Sequence, residues 1–140
     1  MVAVMPASST EGGTALAFPD TGMTPGVSAG APGPLPYPNN VNVSDGSGSS
    51  KVLINNKDTL RKGDEFRMSA GDEAGNSPGG VVSGGFKGKG KVQAVVTTAG
   101  KVKAEGGDIA HVTCITAHNG SNANMPAGAQ LAPSQTKVMV

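Results

Sequence analysis

The chain lacks tryptophan and has only one tyrosine (Tyr37) and three phenylalanines (Phe18, Phe66, Phe86) in 140 residues. Aromatic side chains usually supply the largest buried areas of a core. A chain this poor in them has a thin core and needs backbone pairing, a metal or a partner surface to support it. Cysteine is nearly absent too. The single Cys114 excludes an internal disulfide and fits folding in a reducing compartment. Net charge is only +1. That argues against nucleic acid as a partner, because phosphate binding takes a basic field. No run approaches the ~20 apolar residues of a membrane span, so stable insertion by a helix is not expected. The opening Met1-Val2-Ala3-Val4-Met5-Pro6 has neither the charged start nor the apolar stretch of a signal peptide. Export would require a dedicated machine.

What is plentiful is glycine (22 residues) and proline (10 residues). Each lowers helix propensity, by about 1 and about 3 kcal/mol respectively. The remaining Val, Ile, Leu and Thr cluster in short runs, and little self-repulsion holds the chain open. The composition predicts an all-β domain of short strands and hairpins over residues 14–140, few or no helices, and a mobile tail over residues 1–13. Residues 14–40 are punctuated by Pro19, Pro25, Pro32, Pro34, Pro36 and Pro38. They read as an extended, partly polyproline arm docked through Leu16, Phe18, Leu35 and Tyr37.

From residue 50 the pattern is β. Lys51-Val52-Leu53-Ile54, the turn Asn55-Asn56-Lys57 and the return Asp58-Thr59-Leu60-Arg61-Lys62 predict a hairpin. Val95-Val96-Thr97-Thr98, the turn Ala99-Gly100 and Lys101-Val102-Lys103-Ala104-Glu105 predict a second. Gly63-Asp64 maps onto Gly107-Asp108 at an offset of 44, close to a third of the chain. Three related thirds would present a pseudo-threefold face suited to a homotrimeric partner. Two copies are visible and a third is not. Val81-Val82-Ser83 reads as strand, the segment after Pro126 as loop, and Thr136-Lys137-Val138-Met139-Val140 as a final edge strand.

Both histidines and the only cysteine fall in His111-Val112-Thr113-Cys114-Ile115-Thr116-Ala117-His118. Imidazole and thiolate are the usual ligands of structural zinc, four of them closing a tetrahedral site. His111, Cys114 and His118 supply three; Asp108, a backbone group or water are candidates for the fourth. A buried free cysteine with two incidental histidines is the competing reading. Gly85-Phe86-Lys87-Gly88-Lys89-Gly90-Lys91 imitates a phosphate-binding loop. It is followed by Val92 instead of Ser or Thr and by no helix, so it is rejected as one. Lys87, Lys89 and Lys91 alternate on one strand face, which reads as a solvated face or a protected edge in preference to an anion site. Asp64 and Asp72 read as turn caps, since the acidic cluster with Glu65 and Glu73 matches no calcium loop. No nucleophile with a base and an orienting group can be assembled, so no catalytic residue is assigned.

An ordered series of short segments carries a family resemblance. It comprises Ala15-Leu16-Ala17-Phe18-Pro19-Asp20, Met23-Thr24-Pro25 and Pro34-Leu35-Pro36-Tyr37-Pro38-Asn39. It continues with Gly71-Asp72-Glu73-Ala74-Gly75, Gly79-Gly80-Val81-Val82-Ser83-Gly84, Glu105-Gly106 and His118-Asn119. Over residues 14–119 this resembles the PAAR-like spike-tip proteins of the PIPY type, whose Pro-Ile-Pro-Tyr signature reads Pro-Leu-Pro-Tyr here. The resemblance implies a conical β domain that caps the trimeric VgrG-type spike of a type VI secretion system or related contractile machine, one copy per trimer. It implies a structural protein, assembled in the bacterial cytoplasm and delivered into a target cell on the spike, with effector or adaptor proteins as further partners. PAAR proteins hold a tip zinc with His and Cys, a part for which His111, Cys114 and His118 are the candidates. The family commonly has a cysteine where this chain has Gly22. About 20 residues follow Asn119, too few for an enzyme domain. Two other readings compete: a homotrimeric β decoration or adhesion protein of a virion or cell surface, and a small zinc-dependent hydrolase.

Overall fold

A computed structural model describes residues 4–71, 77–78, 90–94, 101–118 and 125–140. The fold is all-β, with strands β1 Thr14–Ser28, β2 Ala31–Asn42, β3 Ser49–Ile54, β4 Lys57–Thr59, β5 Glu65–Phe66 and β6 Ser69–Ala70 in the first half. In the second half are β7 Ser77–Pro78, β8 Gly90–Ala94, β9 Lys103–Ala104, β10 Gly107–Asp108, β11 Ile115–His118 and β12 Met125–Ala132. One 3-10 turn, Val43–Asp45, links β2 toward β3. Eight strands form a curled sheet in the order β5-β8-β11-β12-β1-β2-β6, with β7 added to β1. The hairpins β3-β4 and β9-β10 stand apart as two-stranded units.

The proline-rich segment is not a docked arm. It is the long hairpin β1-β2, paired from Thr14↔Asn42 out to Ser28↔Ala31. Successive residues of a strand turn their N–H groups to opposite edges. Prolines at 32, 34, 36 and 38 therefore strip donors from one edge of β2 only. Among the described residues that edge meets β6 only at Asn40 and Val41, beyond the stripped stretch. The two β1 prolines fall where the register slips, between Ala17 and Asp20 and between Thr24 and Ser28. The apolar residues expected to dock do not. Phe18 is 58 % exposed and Leu35 36 %, while Leu16 and Tyr37 are half-buried. The hairpin turns small and polar groups inward instead: Ala15, Ala17, Asp20, Asn39 and Val41 are all fully buried. Asn39 donates to Asp20 across it at 2.7 Å.

The segment after Pro126 is strand, not loop: β12 lies between β11 and β1 in the middle of the sheet. Its polar Gln130 is buried because it is bonded. Ser8 Oγ donates to Gln130 Oε1 at 2.5 Å, and Gln130 Nε2 donates to Ala132 O at 3.2 Å. The main core gathers Ala15, Val41, Val43, Leu60, Phe66, Val92, Ala110 and Cys114. Phe66 is its one aromatic residue among the described residues.

The predicted hairpin of residues 51–62 is present as β3-β4. Its turn residues Asn55 and Asn56 take the left-handed φ values of 51° and 61° that a two-residue turn requires. Lys103-Ala104, expected in the return strand of the second hairpin, is the outgoing strand of a hairpin β9-β10 that turns at Glu105-Gly106. The expected turn at Ala99-Gly100, the strand Val81-Val82-Ser83, Lys87 and Lys89, and Asp72 and Glu73 lie outside the described residues. Lys91 sits on β8 between β5 and β11, so it is not on an edge. Asp64 caps its turn as predicted, accepting from the Arg61 N–H at 2.8 Å.

Candidate functional site

Residues 4–13, expected as a mobile tail, are folded in. Ala7, Ser8 and Ser9 are fully buried. They complete a motif that the chain builds three times. Ala7-Ser8-Ser9, Thr59-Leu60-Arg61 and Ile109-Ala110-His111 meet in a closed cycle of bridges: Ser9↔Thr59, Arg61↔Ile109 and Ala7↔His111. The middle residues form a ring of backbone hydrogen bonds. Leu60 N donates to Ser8 O (3.0 Å), Ala110 N to Leu60 O (2.9 Å) and Ser8 N to Ala110 O (2.8 Å). A second ring surrounds it: Thr10 N to Asp58 O (2.9 Å), Lys62 N to Asp108 O (2.8 Å) and Val112 N to Pro6 O (3.0 Å). A cycle in which each copy donates to the next and the third returns to the first is a threefold arrangement. The sequence offset between the second and third copies is 50, not 44, so Val52 corresponds to Val102 and not to Val96.

Each copy has an outer strand. In two copies it is β3 and β9. In the first it is the other end of the chain: Met5 and Val140 exchange hydrogen bonds, and Pro6 bridges Met139. The final strand expected at residues 136–140 therefore pairs, and its partner is the N-terminal segment. The outer segments read Lys51-Val52-Leu53-Ile54, Lys101-Val102-Lys103-Ala104 and Lys137-Val138-Met139-Val140. Their last residues, Ile54, Ala104 and Val140, close a second small core with Ala7 and Ile109. Gln135 holds the terminal strand in place: its Nε2 donates to Ala7 O at 2.7 Å and its Oε1 accepts from Lys137 N at 2.7 Å.

Polar contacts tie the copies together. Glu105, in the turn of β9-β10, accepts from Ser49 Oγ and pairs with Arg61 at 3.6 Å and Lys51 at 3.8 Å, all from the second copy. The Ser49 hydrogen bond, then the two cations, hold the Glu105 carboxyl below its ordinary range. Arg61 is raised, chiefly by its hydrogen bonds to Asp64. Asn55 reaches back to the first copy, donating to Glu11 Oε2 at 2.9 Å.

The three candidate zinc ligands are not brought to one point. His111 Nδ1 lies 2.6 Å from Val112 O, in the threefold motif. Cys114 is in the main core, its Sγ 3.9 Å from Gln130 Oε1, and burial pushes its thiol up to about 11. His118 is buried on β11. Its Nε2 meets Thr116 Oγ1 at 3.0 Å, its Nδ1 has no partner among the described residues, and burial pushes it down to about 4. Among the described residues, no group of three His, Cys, Asp or Glu is placed to hold an ion. No helix among them is long and apolar enough to cross a membrane.

Residues 13–126 match the family described as Toxin PAAR-like domain, and the chain belongs to that family. The match covers most of the curled sheet and two copies of the motif, and stops short of the terminal strands that complete the third. No curated protein and no solved structure matches the chain.

Proposed function

We propose that this member of the PAAR-like toxin-domain family is a structural tip protein. It caps the trimeric VgrG-type spike of a type VI secretion system or related contractile injection machine, one copy per trimer. The observation that carries this reading is the closed threefold cycle through Ser8, Leu60 and Ala110. A single chain that repeats one motif three times about an axis can offer equivalent contacts to three identical chains at once. Among the described residues the outer strands β3 and β9 are edges of two-stranded units, and open edges suit strand-to-strand docking. The role is mechanical: the cap covers the end of the spike and is carried from the cytoplasm into the target cell with it. Effector or adaptor proteins would ride on the same particle.

Co-purification with the trimeric spike tests this. A stable complex is the expected result. A homotrimer of this chain alone, with no spike bound, would favour a decoration or adhesion protein. A structural zinc on His111, Cys114 and His118 would need those side chains to converge, which they do not as placed. One zinc per purified chain would support that site and none would remove it. A zinc hydrolase would need the same convergence.

A further inference from the structure

We propose that Lys51-Val52, Lys101-Val102 and Lys137-Val138 are one recognition element presented three times. The surface they fit is the threefold end of a homotrimer that offers one carboxylate and one apolar contact per chain. This rests on the cap reading and adds the chemistry of the contact. The three copies of the motif have diverged almost everywhere. Leu53 corresponds to Lys103 and Met139, Ile54 to Ala104 and Val140, Leu60 to Ala110 and Ser8, Arg61 to His111 and Ser9. Only the Lys and the Val that follows it are the same in all three. Packing does not demand that identity, because the positions are open. Val52, Val102 and Val138 are 38 %, 38 % and 39 % exposed, and all three lysines are exposed.

Lysine on or beside an edge strand also guards against stray pairing; Lys51 lies in β3, while Lys101 and Lys137 only precede the paired residues of their segments, and that role accounts for the lysines alone. An exposed valine beside each works against that purpose. Both residues are accounted for if each pair meets the same surface. Three identical partner chains require three identical contacts, and nothing else about the motif needs to stay equal. The common charge is positive, so its complement is acidic. Lys51 already reaches a carboxylate, Glu105, at 3.8 Å, with its own side chain 82 % exposed.

The experiment measures binding of the purified trimeric VgrG-type spike of the same bacterium at low and high salt. The variants are Lys51→Glu, Lys101→Glu, Lys137→Glu, all three together, and Arg67→Glu as an unrepeated exposed charge. Thermal melting checks that each variant is folded. Each repeated variant should weaken binding by a similar factor, roughly fivefold to tenfold. The triple variant should lose more than about a hundredfold, and Arg67→Glu should bind as the parent does. Binding of the parent should weaken as salt rises. Parent-like binding by a folded triple variant, or a loss confined to one of the three positions, overturns this inference and leaves the cap reading standing. Failure of the parent itself to bind overturns the cap reading and this inference with it.

Discussion

Met5 and Val140 exchange two backbone hydrogen bonds, each 2.8 Å long. The pair is the counterpart of Lys57 with Ile54 and of Gly107 with Ala104, the residues that close the other two hairpins. The third hairpin is thus closed by the two ends of the chain instead of by a turn. Removing Val138–Val140 would delete three backbone hydrogen bonds and the Val140 side chain from the small core. At about 1 kcal/mol for each bond, plus the lost burial, the expected cost is about 3–5 kcal/mol. Urea unfolding of the truncated chain checks it; an unchanged midpoint would mean that the ends do not close the motif.

Leu60 supplies the one large side chain of the inner ring, beside Ser8 and Ala110. Leu60→Ala keeps every backbone bond of the ring and leaves a cavity in the main core. The expected loss is about 2–5 kcal/mol, read from the urea midpoint. A neutral result would place the core elsewhere.

The β class, the turn at Asn55-Asn56 and the Asp64 cap could be read because Asn and Asp have short-range preferences that act within a few residues. The β9-β10 hairpin was not read because the first residue of its turn is Glu105 at φ 46°, which carries no turn signal, so Gly106 alone did not mark it. The alternating prolines were legible as extended chain. That they strip one edge of a hairpin became visible only with β1 in place. β12 has no β-branched residue in Met125–Ala132 and is strand because β11 and β1 flank it. The third copy was hidden because its halves lie at opposite ends of the chain. Its sequence trace, Lys-Val at 51, 101 and 137, was blurred by a fourth Lys-Val at Lys91-Val92 on β8. Of the candidate site, the threefold logic was legible and its register was not. The grouping of His111, Cys114 and His118 in sequence did not carry over to a grouping in space.

Stability should depend on pH through His118. Its folded value, about 4, lies below the ordinary 6.5, so between those values the unfolded chain binds more protons. Stability is then full above pH 6.5, falls as pH drops toward 4 and levels off below that. The total loss is about 3 kcal/mol. Urea midpoints at pH 7.5, 5.5 and 4.5 should fall in the parent and much less in His118→Gln. Glu105 adds a separate loss below its ordinary 4.5, because its folded value is lowered. That second fall should persist in His118→Gln and vanish in Glu105→Gln.

Two glycines separate backbone strain from lack of room. Gly71 has φ +129°, and a Cβ there would sit 2.0 Å from Pro38 O; Gly106 has φ +81° and open space around it. Gly106→Ala should cost about 1 kcal/mol, the strain alone. Gly71→Ala must also push β6 away from β2 and should cost about 3 kcal/mol or more. Thermal melting of both variants checks the order, and equal losses would contradict it.

The central claim, a single chain that imitates a trimer, is tested most directly by stoichiometry. The mass of the purified complex with the VgrG-type spike, measured by light scattering after size exclusion, should correspond to one copy of this chain per spike trimer. Three copies per trimer, or no complex alongside a stable homotrimer of this chain, would contradict it.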